Sequence, residues 1–237
     1  MNFLTFFSCS FSFPCALRKE NNVHSPLKLM LVTRCQDTDM STYLNFIETC
    51  AQAGITSVQM REKEMEFNKK ITFAHQLKIL LDTYKIPLII NDDPLLAQQV
   101  DAGGIHLGQS DLIEHPFPSR SPSSHFGLSA NTLKQVEDAN HRLDLSYLGI
   151  GAIFPTTSKM NVETVWGLEG LKQAKQRTTL PLVAIGGITA DNAAEVLQAG
   201  AYGLAIINAI HAAHDPAKTI HALLNTINAL SKRSPHV

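Results

Sequence analysis

Val183-Ala184-Ile185-Gly186-Gly187-Ile188 is an apolar run that ends in paired glycines, and Thr189-Ala190-Asp191-Asn192 after it opens a helical pattern. Peptide N–H groups exposed by glycines beside a helix start favour negative charge, so this stretch can hold a phosphate. A glycine pair can equally serve only to end a strand tightly against its helix. Ile207-Asn208 closes the next apolar run. Phe154-Pro155-Thr156-Thr157-Ser158-Lys159 offers three hydroxyls and an ammonium in succession, donors suited to an oxyanion or to an ordinary polar surface loop. Gln59-Met60-Arg61-Glu62-Lys63 ends an earlier run. In an extended chain Arg61 and Lys63 project the same way. They can then grip a diphosphate, the guanidinium by a two-pronged contact and the ammonium as a point charge. A solvated charged loop would read the same.

Two further run ends carry acids, Asn91-Asp92-Asp93 and Gly108-Gln109-Ser110-Asp111. One carboxylate from each suits Mg²⁺, which takes one or two protein oxygens and completes its shell with water and substrate phosphate. Asp92 and Asp111 are the chosen pair. Asp93, directly before Pro94, can cap the following helix, and Asp111 can also cap a turn. Ser129 ends another run, where its hydroxyl can donate to a ligand or close a turn. The ten histidines form no metal triad. His106 sits inside a strand pattern and reads as a core or rim residue, and Tyr147 and Trp166 read as packing.

The elements that must position these residues alternate along the chain. Short β-rich runs begin at Leu29, Ile55, Pro87, Gly104, Phe126, Tyr147, Val183 and Gly203, and amphipathic stretches follow most of them. The sixth run is expected to extend from Tyr147 to Phe154. Phe67, Ile71, Ala74, Leu77 and Leu81 stripe the second helix, and Ile220, Leu223, Leu224, Ile227 and Leu230 stripe the last. The Pro- and Ser-rich stretch 115–124 reads as a loop in place of a regular fourth helix, and 155–163 as a lid. Eight strand–helix units in about 205 residues imply a single (β/α)8 TIM barrel, an α/β fold whose reactive face is the C-terminal rim of the strands. An open doubly wound sheet of this length would carry fewer strands.

Composition bounds the function classes. Twenty basic against twenty-one acidic residues give a net charge of −1, which suggests no nucleic-acid groove and no polybasic membrane patch. Cysteines at 9, 15, 35 and 50 form no CxxC pair and read as reduced thiols of a cytoplasmic protein. Residues 1–26 read as a poorly ordered N-terminal extension, because the charges follow the apolar run instead of preceding it, and residues 27–237 as the barrel. A homo-oligomer is compatible with the sequence.

Together these residues predict two anion sites on one rim. One is cationic and metal-assisted, at strands two to four, and the other is built of backbone and hydroxyl donors at strands six to eight. Such a rim suits two phosphorylated small molecules. The ordered set Gln59 to Lys63, Asn91-Asp92, Gly104 to Asp111, Gly127 to Ser129, Gly149 to Lys159, Ala184 to Ile188 and Gly203 to Ile210 resembles the thiamine phosphate synthase family from Leu29 to about Leu230.

The resemblance implies a Mg²⁺-dependent transferase. It joins a hydroxymethylpyrimidine diphosphate to a hydroxyethylthiazole phosphate, releasing pyrophosphate. It implies that Gln59, Met60, Arg61, Glu62, Lys63, Asn91, Ser129 and Lys159 form the pyrimidine diphosphate site. Thr156, Thr157, Ser158, Gly187, Ile207 and Asn208 would form the thiazole phosphate site, and Asp92 and Asp111 would be the metal ligands. Arg61, Lys63, Ser129 and Lys159 would carry the chemistry, a dissociative substitution through a pyrimidine methyl cation. The chain departs from the family pattern at Ser158, where threonine is usual, at Ala152, where proline is frequent, and at Asn208, where the family has serine. The competing readings are a thiazole tautomerase, which needs no metal-diphosphate site, a non-catalytic barrel that binds thiamine phosphate, and a phosphate-handling barrel of amino-acid biosynthesis.

Overall fold

Alternation within each strand sorts side chains between two cores. In β1 (Leu29–Val32) Leu29 and Leu31 pack with the helices, whereas Met30 and Val32 join Leu27, Ile89, Tyr147, Val183 and Ala205 inside the ring of strands. A period of two in a parallel sheet with both faces covered requires this division. The computed structural model describes residues 25–35, 38–114, 125–142, 144–156 and 165–232.

The remaining strands are β2 (Ser57–Met60), β3 (Leu88–Asn91), β4 (Gly104–Leu107), β5 (His125–Ala130), β6 (Tyr147–Ile150), β7 (Leu182–Ile185) and β8 (Gly203–Ile206). They pair in chain order as one closed parallel barrel, with β8 returning to β1 through the pairs Leu29 with Leu204 and Leu31 with Ile206. The layer outside contains α1 (Met40–Gln52), α2 (Phe67–Thr83), α3 (Pro94–Gln99), α4 (Asp111–Glu114), α5 (Leu133–Asp138), α6 (Gly167–Arg177), α7 (Ala193–Gln198), α8 (Asn208–His211) and α9 (Pro216–Ser231).

Local signals set these boundaries. Asp39 and Glu66 cap α1 and α2, and Asp93 and Asp215, each followed by proline, cap α3 and α9. In α2 the buried residues are Phe73, Ala74, Leu77 and Leu81, while Phe67 is 62 % exposed. The expected stripe is thus corrected at its start, because Glu66 caps the helix there and leaves Phe67 on the outer side of the first turn. Strand β6 stops at Ile150, short of the expected Phe154: Ile153 and Phe154 instead send their N–H groups to the carbonyls of Ile185 and Gly186. A single turn, α4, stands before residues 115–124, which lie outside the described residues, as does 157–164, most of the expected lid. The packed chain reaches back to Pro26, whose carbonyl accepts from the Thr56 and Ser57 hydroxyls. Among the described residues no helix is long and apolar enough to cross a membrane. Cys35 and Cys50 are free thiols, and burial pushes them up to about 11 and about 12.

Candidate active site

The C-terminal ends of the strands surround a cavity of about 970 Å³. Its floor is a polar network made possible by glycines in register. His106 on β4 pairs with Gly127 on β5, which pairs with Tyr147 on β6. A methyl group on Gly149 would stand 2.8 Å from the His106 ring. In the space so left, His106 bridges the Tyr147 hydroxyl at 3.0 Å and the Ser129 hydroxyl at 2.9 Å. Gln59 Nε2 donates to Met30 Sδ at 3.6 Å, and Gln109 Nε2 donates to the Ser129 carbonyl at 2.6 Å. Burial drives the His106 pKa down to about 4, so its ring is neutral and has one donor and one acceptor nitrogen. His106, read from sequence as a core or rim residue, and Tyr147, read as packing, both line the cavity. The available signal was a lone polar residue in a strand whose cross-strand neighbour is glycine.

One wall of the cavity carries charge. Asp92 adopts φ 60°, a left-handed conformation unusual outside glycine, and its N–H donates to the His106 carbonyl at 2.9 Å. Strain of this kind persists where neighbours hold it, here at the end of β3. Lys63 Nζ lies 3.2 Å from Asp92 Oδ2. Asp111, at the start of α4, accepts from the Gly108 N–H at 2.8 Å. Its carboxyl is pushed up by burial and by the neighbouring Asp92 carboxyl. Asp93 points elsewhere, capping α3 through the Leu96 N–H and pairing with Lys70 at 3.3 Å.

The opposite wall is the diglycine turn. Gly186 and Gly187 take φ 98° and 66°, and a methyl on either would stand 2.7 Å from Ala152 Cβ or 2.6 Å from Phe154 Cβ. Only glycine satisfies both the backbone and the close approach. Asn192 Nδ2 donates to the Gly187 carbonyl at 3.0 Å, and its Oδ1 accepts from the Thr189 N–H at 2.9 Å. Across a trans peptide this directs the Ile188 N–H away from Asn192. Helix α7 begins only at Ala193 and is six residues long, so the glycine turn, more than a helix end, shapes this wall. Asn192 was not read as a site residue, because its role depends on contacts that form only once the turn closes.

The cavity thus brings together Gln59, Arg61, Lys63, Asn91, Asp92, Asp111, Ser129, Thr156, Gly187, Ile207 and Asn208. Met60 and Glu62 stand outside it. Met60 is buried in the core shared with the helices, and Glu62 accepts from the Cys35 N–H at 2.9 Å. Strand alternation turns these two away from Gln59, Arg61 and Lys63. Burial pushes the Glu62 carboxyl up, while the Thr33 hydroxyl and Cys35 N–H oppose that. Thr157, Ser158 and Lys159 lie outside the described residues.

A closed (β/α)8 barrel with acids and cations facing a diglycine turn across one cavity is a TIM barrel with its candidate site at the C-terminal rim of the strands. Residues 29–210 match the family model of thiamine monophosphate synthase, and the chain belongs to that family. It is 40% identical over 203 residues to thiamine-phosphate synthase of Chlamydia caviae, covering 85% of this chain and 95% of the relative. It is also 40% identical over 209 residues to that of Streptococcus suis, covering 86% and 90%. Among solved structures, a thiamine phosphate pyrophosphorylase from Pyrococcus furiosus superposes with a TM-score of 0.74 at 29% identity, covering 88% of this chain and 99% of that one.

Proposed function

We propose that this chain is a thiamine-phosphate synthase. It condenses 4-amino-2-methyl-5-(diphosphooxymethyl)pyrimidine with 4-methyl-5-(2-phosphooxyethyl)thiazole, giving thiamine phosphate and diphosphate. The observation that carries this reading is the placement of two chemically different anion walls on one cavity. Lys63, Arg61, Asp92 and Asp111 stand on one, and Gly186, Gly187 and Asn208 on the other. A thiazole tautomerase would have no use for the charged wall.

The bond to the diphosphate breaks at a methylene carbon attached to an electron-rich aminopyrimidine, so charge accumulates on the leaving group before the thiazole nitrogen attacks. Arg61 and Lys63 offer fixed positive charge where that negative charge develops, which is where preorganised electrostatics lower a barrier. Lys159, matched to the family motif, is assigned to the same diphosphate. The floor orients the pyrimidine. With the Tyr147 hydroxyl donating to His106 Nδ1, the Nε2–H goes to Ser129 Oγ. The Ser129 hydrogen is then left for a ring nitrogen or amine of the ligand. The diglycine turn, Thr156 and Asn208 receive the thiazole phosphate and hold the nucleophile near attack distance. No general base is needed, because the attacking nitrogen carries no proton, and a neutral, buried His106 agrees with that.

The acids fit Mg²⁺. Asp92 and Asp111 line the same cavity, and the Asp111 carboxyl is raised by burial and by the Asp92 carboxyl. Among the described residues no group of three His, Cys, Asp or Glu gathers, and Mg²⁺ does not require one, since it is bound through one or two carboxylates plus phosphate oxygens. When bound between these residues, Mg²⁺ supplies positive charge to the departing diphosphate. We assign the catalytic unit to residues 27–237 and place the reaction in the cytoplasm.

The test is stoichiometry. The purified chain, given both substrates and Mg²⁺, is expected to release one diphosphate for each thiamine phosphate formed. Diphosphate release that does not depend on the thiazole phosphate, or binding of both compounds without product, would overturn the assignment.

A further inference from the structure

We infer that Arg34, at the end of β1, is a specificity-determining residue for the phosphomonoester, acting through Asn208. This rests on the synthase reading for the identity of the ligand, and its geometry is independent of that reading.

Asn208 lines the cavity beside Gly186, Gly187 and Ile207. Its Oδ1 accepts from Arg34 Nη1 at 2.9 Å, a contact between residues 174 positions apart. A guanidinium has donors and no acceptor, so the contact fixes which end of the Asn208 amide faces Arg34. The Nδ2 hydrogens are left on the other branch of the amide carbon, polarised by the adjacent cation. A serine at this position would offer a single rotating hydroxyl and no such link. Asn208 is therefore no mere oversized substitute in the phosphate corner. It presents amide N–H donors on the branch away from Arg34 and couples a positive charge to a wall that otherwise consists of backbone and hydroxyl groups.

Arg34 is held for this task at its backbone as well. The Arg34 N–H donates to the Tyr43 hydroxyl oxygen at 2.7 Å, that hydroxyl meets His211 Nε2 at 2.7 Å, and His211 Nδ1 meets the Ile207 carbonyl at 2.8 Å. A carbonyl only accepts, so Nδ1 carries the ring proton. Nε2 then accepts from Tyr43, whose oxygen remains open to the Arg34 N–H. Every member of this chain is satisfied by one proton order, and Tyr43 is 4% exposed and stacked on His211. The relay ties the end of β1 to Ile207, the residue before Asn208. The backbone at the end of β1 is thus set before any ligand arrives, and from it the exposed Arg34 side chain reaches the Asn208 amide.

The experiment compares Arg34→Met, Arg34→Lys, Asn208→Ser and the double variant Arg34→Met with Asn208→Ser. KM is measured for both substrates, together with calorimetric binding of the thiazole phosphate and of the unphosphorylated thiazole alcohol. Loss of a charge-linked donor is expected to raise the thiazole phosphate KM about tenfold in Arg34→Met. The pyrimidine diphosphate KM, kcat and affinity for the alcohol should each stay within about twofold. Arg34→Lys is expected to restore part of the loss. In the Asn208→Ser background Arg34→Met should add less than about twofold, because the coupling runs through the amide. An unchanged thiazole phosphate KM in Arg34→Met, an equal rise for both substrates, or an undiminished effect in the Asn208→Ser background would overturn the inference. A wild-type chain that binds thiazole phosphate but forms no product would sink the synthase reading alone, since the calorimetric comparison with the alcohol still decides the role of Arg34. If the wild type discriminates neither compound by its phosphate, the inference fails.

Discussion

Replacing Asp111 by asparagine separates what the facing acids cost the fold from what they contribute to function. Asp111 is pushed up by burial and by Asp92 beside it, so without a cation the two carboxylates oppose each other. Two like charges in near contact repel by about 1 kcal/mol in water and by about 4 kcal/mol at an effective dielectric near 20. The Asp92 side chain is 30% exposed and paired with Lys63, which places the cost at the lower end, about 1 kcal/mol. In Asp111→Asn the amide oxygen can still accept from the Gly108 N–H, so the repulsion is removed and that contact kept. The expected outcome at pH 7 without divalent cation is a Tm higher by about 2–4 °C. Mg²⁺ together with diphosphate raises the wild-type Tm by mass action. The variant should show much less of that rise, and its turnover should fall by about a hundredfold or more. The assay is thermal unfolding with and without Mg²⁺ and diphosphate, alongside product formation. A lower Tm for the variant combined with an undiminished Mg²⁺-dependent rise would refute the reasoning.

Lys63→Ala removes a charge at the leaving group from a side chain that is 55% exposed. Turnover should fall by about 10²–10³, with stability changed by less than about 1 kcal/mol; near-normal turnover would remove Lys63 from the mechanism. His106, neutral down to about 4 when folded, titrates near 6.5 when unfolded. As pH falls from about 6.5 to about 4 the unfolded chain takes up a proton that the folded one does not, so this residue lowers stability by up to about 3 kcal/mol across that window. His106→Gln is expected to flatten that part of the stability-versus-pH curve, as read by denaturant unfolding. Glu62 is raised by burial, so its ionisation opposes folding as pH climbs through the folded pKa. Glu62→Gln, which keeps an acceptor for the Cys35 N–H, should therefore raise Tm at pH 7, with the gain shrinking to nothing below the ordinary carboxylate range.

The barrel was legible in the chain because each strand announces itself as a short apolar run, and eight such runs leave little other architecture. The site was legible where polar residues end those runs: Lys63, Asp92, Asp111, Gly186 and Gly187 fall on one cavity. Met60 and Glu62 were drawn into the site by their place in a contiguous motif, although strand alternation already separates them from Gln59, Arg61 and Lys63. His106 and Tyr147 stayed hidden for the opposite reason. Each is a single polar residue in an apolar strand, and only the register through Gly127 shows that their rings share one floor. Arg34 gave no signal at all, since its partner Asn208 lies on the far side of the sequence and meets it only when β8 closes onto β1. Asn208 itself stood out as a departure from serine, and the Arg34 contact gives that departure a physical role.

Both products bound together would test the central claim most directly. A crystal structure of the purified chain with thiamine phosphate, diphosphate and Mg²⁺ should place the phosphomonoester against Gly186, Gly187 and Asn208, and the diphosphate among Arg61, Lys63, Asp92 and Asp111, with the pyrimidine on the floor made by Gln59, His106 and Ser129. Density for the diphosphate on the diglycine wall, or for either anion outside the mouth of the barrel, would contradict the account.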